Sequence, residues 1–147
     1  MERTAGRTPE VSLEEVFLKA ASGLPRPDER GEVVAEALAH LQRGFDSHYA
    51  AEPRGDRRAT DEDVLVGDNA YAWAVETIAR LDEPRFVAVA GRMIRDGAGC
   101  IASGGEVSLK TWTPHLGGLL GIISGEDPET SEARILRAAN ELGGERP

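Results

Sequence analysis

From Ser12 onward the apolar residues recur every three or four positions, and no stretch alternates with the period of two that marks a half-buried strand. The chain therefore reads as all-α. "SLEEVFLKAA" starts at Ser12 and has Glu15 three residues later, the capping-box spacing that satisfies free amide donors at a helix start. After the turn "GLPRP", residues 28–47 place Val33, Val34, Ala37, Leu38, Leu41 and Phe45 on one side of a second helix. "HYAAEPRGDRRAT" is polar and contains Pro53 and Gly55, which predicts a loop. Thr60 then caps a third helix whose first turn holds Asp61, Glu62 and Asp63, where the helix dipole favours negative charge. Pro84 opens a fourth helix, to about residue 103, that buries Phe86, Val89, Ala90, Met93, Ile94 and Ile101. Thr113 with Pro114, and Asp127 with Pro128, are cap-plus-proline pairs that predict two more helix starts, and Gly143 suits the last C-cap. The expectation is a single helical bundle over residues 12–143, with a disordered N-terminus at 1–11 and a tail at 144–147.

The third helix poses a question. "VLVGDNAYAWAVETIARL", residues 64–81, is almost wholly apolar yet carries Asp68 near its start. At about 100° per residue, Val64, Asp68, Tyr71, Val75 and Ile78 share one narrow stripe, so Asp68 is expected on the core side. There it either accepts hydrogen bonds from a neighbouring loop or lines a polar pocket between helices together with Tyr71. Trp73 falls on the opposite, more polar face. A tryptophan in that position is a candidate anchor for a partner, or is covered by a loop of its own chain.

Composition narrows the classes. Twenty-six acidic residues against 17 basic ones leave a formal charge of −9, which argues against a nucleic-acid interface and against attachment to anionic lipid. The longest apolar run, "LGGLLGII", is far shorter than the roughly 20 residues a spanning helix needs, and the start of the chain has no signal-peptide pattern. One cysteine, Cys100, gives no disulfide framework and reads as a buried thiol in a reducing, cytoplasmic setting. Nucleotide-binding glycine motifs, C-x-x-C and H-E-x-x-H are all missing from the sequence. His40, His48 and His115 lack metal-ligand spacing, and Asp61, Glu62 and Asp63 point in different directions around a helix, so no metal site is expected. The glycines of "RDGAGCIASGG" and "HLGGLLGIISG" read as close helix packing and caps.

Three landmarks occur in order: "PRGDRRAT", "VLVGDNAYAWAVETIARL" and "SLKTWTPHLGGLLGIISGEDPETSEARILRAANELG". Over residues 53–143 this resembles the middle of the trans-isoprenyl diphosphate synthases, with a basic "RG" loop, a helix start bearing Gly67-Asp68, a Lys-Thr pair at Lys110-Thr111, and a glycine-bearing helix at Gly117 to Gly121. The resemblance implies part of the isoprenoid synthase fold and gives Lys110 and Thr111 the task of holding a prenyl diphosphate. A cation next to a hydroxyl at a helix break suits that chemistry, and an exposed lysine beside a capping threonine is the plain alternative.

The departures from the pattern decide what the resemblance implies. Family members hold magnesium with two aspartate-rich motifs, whereas this chain has "FDSHYAAEP" where the first belongs and "GGERP" where the second belongs. Without paired carboxylates the leaving diphosphate is not neutralised, so the chain is expected to be inactive by itself. The shape resembles the small, non-catalytic subunits of heteromeric hexaprenyl and heptaprenyl diphosphate synthases. That implies a catalytic large subunit as partner, Mg2+ on that partner and none bound here, and a part in setting chain length for the menaquinone side chain. The competing expectation is a self-contained helical domain that binds a small apolar ligand or a regulatory partner. A third is an enzyme that recruits Asp61, Asp63 or Asp68 as unusual metal ligands.

Overall fold

The computed structural model describes residues 12–26, 28–51, 61–104 and 108–144, which form six α-helices and no strand. These are α1 (Leu13–Ser22), α2 (Arg30–Ala51), α3 (Asp61–Ala79), α4 (Pro84–Ala102), α5 (Leu109–Ser124) and α6 (Pro128–Gly144). The expected disordered N-terminus, the Thr60 cap with the "RG" loop, and residues 145–147 of the tail lie outside the described residues.

Local chemistry explains most of the helix starts. Ser12 Oγ accepts the Glu15 amide at 3.0 Å, and the Leu13 amide donates to Gln42 Oε1 at 2.8 Å, which ties the start of α1 to α2. Glu83 caps α4 by accepting the Arg85 amide, with Pro84 in the first turn where its missing N–H has no intrahelical partner to lose. Asp127 Oδ1 accepts the Thr130 amide at 2.7 Å ahead of α6. The fifth helix corrects the sequence reading. It starts at Leu109, with Ser108 as its N-cap, and Pro114 sits inside it. Thr113 is therefore no cap: it is buried, and its hydroxyl donates to the Leu109 carbonyl at 2.9 Å. The tertiary packing of the turn around Trp112 outweighs the single backbone bond that Pro114 removes.

One hydrophobic cluster draws buried side chains from all six helices. Its centre is α5, where Trp112, Leu116, Leu119 and Leu120 are fully buried. α5 packs on α1, α2, α4 and α6, while α2 packs on α1, α3, α4 and α5. By contrast α3 packs only on α2 and α4 among the described residues. Glycine permits the closest approach between α5 and α6, since a Cβ on Gly117 would meet the Glu132 backbone at 3.2 Å. Two arginines close the far end. Arg134 makes a bidentate pair with Glu126 at 2.7 and 2.8 Å and reaches the Gly23 carbonyl at 3.3 Å, and Arg30 pairs with Asp28 and lies over the Phe86 ring. Hydrogen bonds from Arg134 hold the Glu126 carboxyl below the usual range. Cys100 and Ile94 are half-buried at the core's edge, so neither is the fully buried side chain that the sequence pattern predicts.

Candidate interaction surface and the aromatic row beneath it

α2 and α3 are locked by a reciprocal device. A Cβ on Gly44 of α2 would overlap the Tyr71 ring of α3, and a Cβ on Gly67 of α3 would overlap the His48 imidazole of α2. Each helix thus offers one glycine socket and, four residues later, one ring to fill the other's. Gly67, Ala70 and Ala74 present a face of small side chains to α2, so the two backbones approach closely. His48 Nε2 lies 3.0 Å from Asp68 Oδ1, where the ring N–H donates to the carboxylate.

From there an aromatic row runs inward. His48 meets Tyr71 edge-on at 4.8 Å between ring centroids, Tyr71 meets Phe45 at 5.5 Å, and Phe45 stacks on Trp112 at 4.7 Å with planes 16° apart. Gly97 of α4 leaves room for that stack, because a Cβ there would meet Phe45 at 2.5 Å and Trp112 at 2.8 Å. Trp112 in turn lies 6.3 Å from His115, whose Nε2 donates to Asp96 Oδ2 at 2.9 Å. That hydrogen bond, with a smaller contribution from Arg95, holds the Asp96 carboxyl below the usual carboxylate range. The row therefore has a histidine–aspartate pair at each end. Burial, aided by the nearby Asp68 carboxylate, pushes the Tyr71 hydroxyl up, and that hydroxyl and the Trp112 indole N–H are both buried without a hydrogen-bond partner among the described residues.

The expected site residues fall in different places. Asp68 does not face the core: its side chain is 61% exposed and turns sideways to His48. The expected stripe misplaces the inner face because Gly67, Ala70 and Ala74 take the close approach to α2, which rotates Asp68 and Val64 outward. Tyr71 is buried in the Gly44 socket rather than lining a cavity. A concavity of about 440 Å³ exists, but it lies between α1, α2 and the start of α3, lined by residues such as Ser12, Gln42, Arg43 and Asp63. Lys110 is exposed in the first turn of α5, with Thr111 half-buried beside it and its Oγ1 3.5 Å from Ser108 Oγ. Neither converges with Asp68 or Trp73 on one site. His48, His115 and Asp96 were missed as a set. The four-residue spacing of Gly44 to His48 and of Gly67 to Tyr71 is a signal that the sequence does contain.

The outer face of α3 is the most unusual surface. Val64, Leu65, Val66 and Trp73 are four of the six large hydrophobic side chains exposed among the described residues, Leu65 at 66% and Trp73 at 51%. The Trp73 ring lies near His40 of α2, 6.4 Å between centroids, and is about half exposed. Among the described residues no group of three or more histidine, cysteine or acidic side chains is placed to hold a metal ion. No described helix is long and apolar enough to cross a membrane. No protein family, curated protein or solved structure matches the chain, so the likeness to trans-isoprenyl diphosphate synthases stands on its sequence landmarks alone.

Proposed function

We propose that this chain is a non-catalytic, cytoplasmic assembly subunit that docks on a partner protein through the outer face of α3. The observation that carries the reading is the concentration of exposed Val64, Leu65, Val66 and Trp73 on one peripheral helix. Large apolar side chains left exposed on one helix make a candidate interaction surface, and tryptophan is the residue type that most often dominates binding energy. The sequence landmarks favour one partner: the magnesium-bearing catalytic subunit of a heteromeric long-chain polyprenyl diphosphate synthase that makes quinone side chains. In that complex Lys110 and Thr111, at the amide-rich start of α5, offer a cation, a hydroxyl and free N–H groups to a prenyl diphosphate.

The test is co-purification with the full-length trans-prenyl diphosphate synthase of the same genome, then assay of each chain and of the mixture with isopentenyl and farnesyl diphosphates and magnesium. The expected result is long product from the mixture only, and loss of the complex with Trp73→Asp. A synthase that works alone and never associates with this chain sinks the reading. The second reading, a self-contained helical binding domain, draws support from the single closed core shared by all six helices. A stable chain with no synthase partner would favour it.

A further inference from the structure

Of the large hydrophobic side chains exposed among the described residues, only Trp73 is aromatic. An exposed indole is ordinarily free to turn about its side-chain torsions, and a partner that binds it must first fix them. Trp73 has a support instead. Its ring lies against His40 of α2, with centroids 6.4 Å apart and planes 29° from parallel, within the range that aromatic pairs adopt. His40 is largely covered, its side chain 19% exposed, and it has a neighbour at each ring nitrogen. Arg43 Nη1 lies 3.5 Å from His40 Nδ1. A guanidinium only donates, so Nδ1 is the acceptor and the ring proton sits on Nε2, which lies 4.0 Å from Glu36 Oε2. Glu36 stands four residues before His40 and Arg43 three after it, the spacings that bring side chains together on one side of a helix. The backbone beneath is firmly seated, since Ala74, next to Trp73, and Ala37, three residues before His40, are both fully buried.

We propose that His40 is a positioning residue for docking: it holds the Trp73 indole in the orientation that the partner subunit takes, so the docking surface extends from α3 across the seam onto α2. That role rests on the reading of α3 as the docking face, and it means that the anchor is ordered before the partner arrives. Prior ordering of one aromatic side chain removes part of the entropy cost of association, a factor of about 2 to 10 in affinity. His40 acts through Trp73, so its loss is expected to change the order of the anchor and to leave the fold intact.

The test uses the full chain labelled with fluorotryptophan, in which the two tryptophans give separate fluorine NMR signals and Trp112 serves as the internal control for the core. In the wild type the Trp73 signal is expected to relax as an ordered ring. His40→Ala is expected to bring it close to a freely turning indole while the Trp112 signal stays where it was, and His40→Gln, close in size but without a ring, to do the same. His40→Phe keeps a flat ring and is expected to restore the order. Affinity for the full-length synthase is expected to fall about 2- to 10-fold in His40→Ala and to recover in His40→Phe. A Trp73 ring as mobile in the wild type as in His40→Ala overturns the inference. So does tighter binding by His40→Ala, which would make His40 a cover over Trp73 that the partner has to displace. The two readings fail separately: if no synthase associates, the docking role falls while the fluorine signals still decide whether His40 holds Trp73, and a synthase that binds through Trp73 with equal affinity for His40→Ala removes the positioning role alone.

Discussion

α3 and α5 are both apolar helices of similar length, and they use their apolar residues in opposite ways. α5 turns Trp112, Leu116, Leu119 and Leu120 into the centre of the bundle, while α3 buries Gly67, Ala70 and Ala74 and leaves Leu65, Val66 and Trp73 outside. The difference follows from neighbours. Four helices surround α5, which leaves room only for an interior that is filled by large side chains. α3 has two, and the closeness of one of them is set by the paired glycines of the clasp. Apolarity alone therefore says that a helix has a buried side, not which side it is.

Truncating one tryptophan in each helix gives the largest contrast. Trp112→Ala removes a fully buried indole that stacks on Phe45, and is expected to cost about 3–5 kcal/mol in denaturant unfolding. Trp73→Ala is expected to change folding stability by no more than about 0.5 kcal/mol while abolishing association. A large stability loss at Trp73 would mean that its indole is structural and that α3 has no spare face.

Glycine substitutions sharpen the same contrast at a smaller scale. Gly97→Ala drives a methyl into the Phe45–Trp112 stack, whose rings are buried and have nowhere to go, and is expected to cost about 1–3 kcal/mol despite the better helix propensity of alanine. The atoms nearest to a Cβ on Gly67 belong to the half-buried His48 ring, which can swing toward solvent. The lost bond to Asp68, worth about 0.5–1.5 kcal/mol, is then largely offset by the propensity gain of about 0.5–1 kcal/mol. Equal losses at the two positions would place the clasp in the rigid core.

How much of this is legible without coordinates varies with the element. The Ser12 cap, the proline at the start of α4 and the Asp127 cap read correctly because each depends on residues within one turn. Pro114 misleads for a physical reason: proline signals a helix start only when nothing upstream holds the chain helical, and Trp112 does so by packing against Phe45, Gly97 and the core. Asp68 misleads because a hydrophobicity stripe weights large side chains, and the close side of α3 is made of small ones. The His115–Asp96 pair joins two helices 19 residues apart in sequence, a register that no local pattern encodes.

Tyr71 tests whether the interior of the clasp is optimised. Its hydroxyl is buried with no partner among the described residues, a situation that costs about 1–3 kcal/mol relative to a satisfied group. Tyr71→Phe keeps the ring in the Gly44 socket and its contacts with Phe45 and His48, so it is expected to leave stability unchanged or to raise it. A clear loss in the melting temperature would show that the hydroxyl acquires a partner, and with it a functional role at this end of the aromatic row.

The smallest effect separates the two ends of that row by pH. The Asp96 carboxyl is held below its ordinary range by the hydrogen bond from His115, so its folded value lies under its unfolded one. The ionised form then contributes stability that is present in full above the unfolded value, near 4, and that is lost as pH falls through the folded value. Melting temperatures of the wild type are therefore expected to fall further between about pH 6 and pH 3 than those of Asp96→Asn. Asp28, Glu83, Glu126 and Asp127 are also depressed, each by a neighbouring arginine or a helix-start amide, and they contribute equally to both proteins. Their acid sensitivity cancels in the difference, so what remains reports the His115–Asp96 bond beside α5. Identical acid profiles for the two proteins would mean that this bond is too loosely held to favour the folded state, and that the aromatic row is anchored by packing alone.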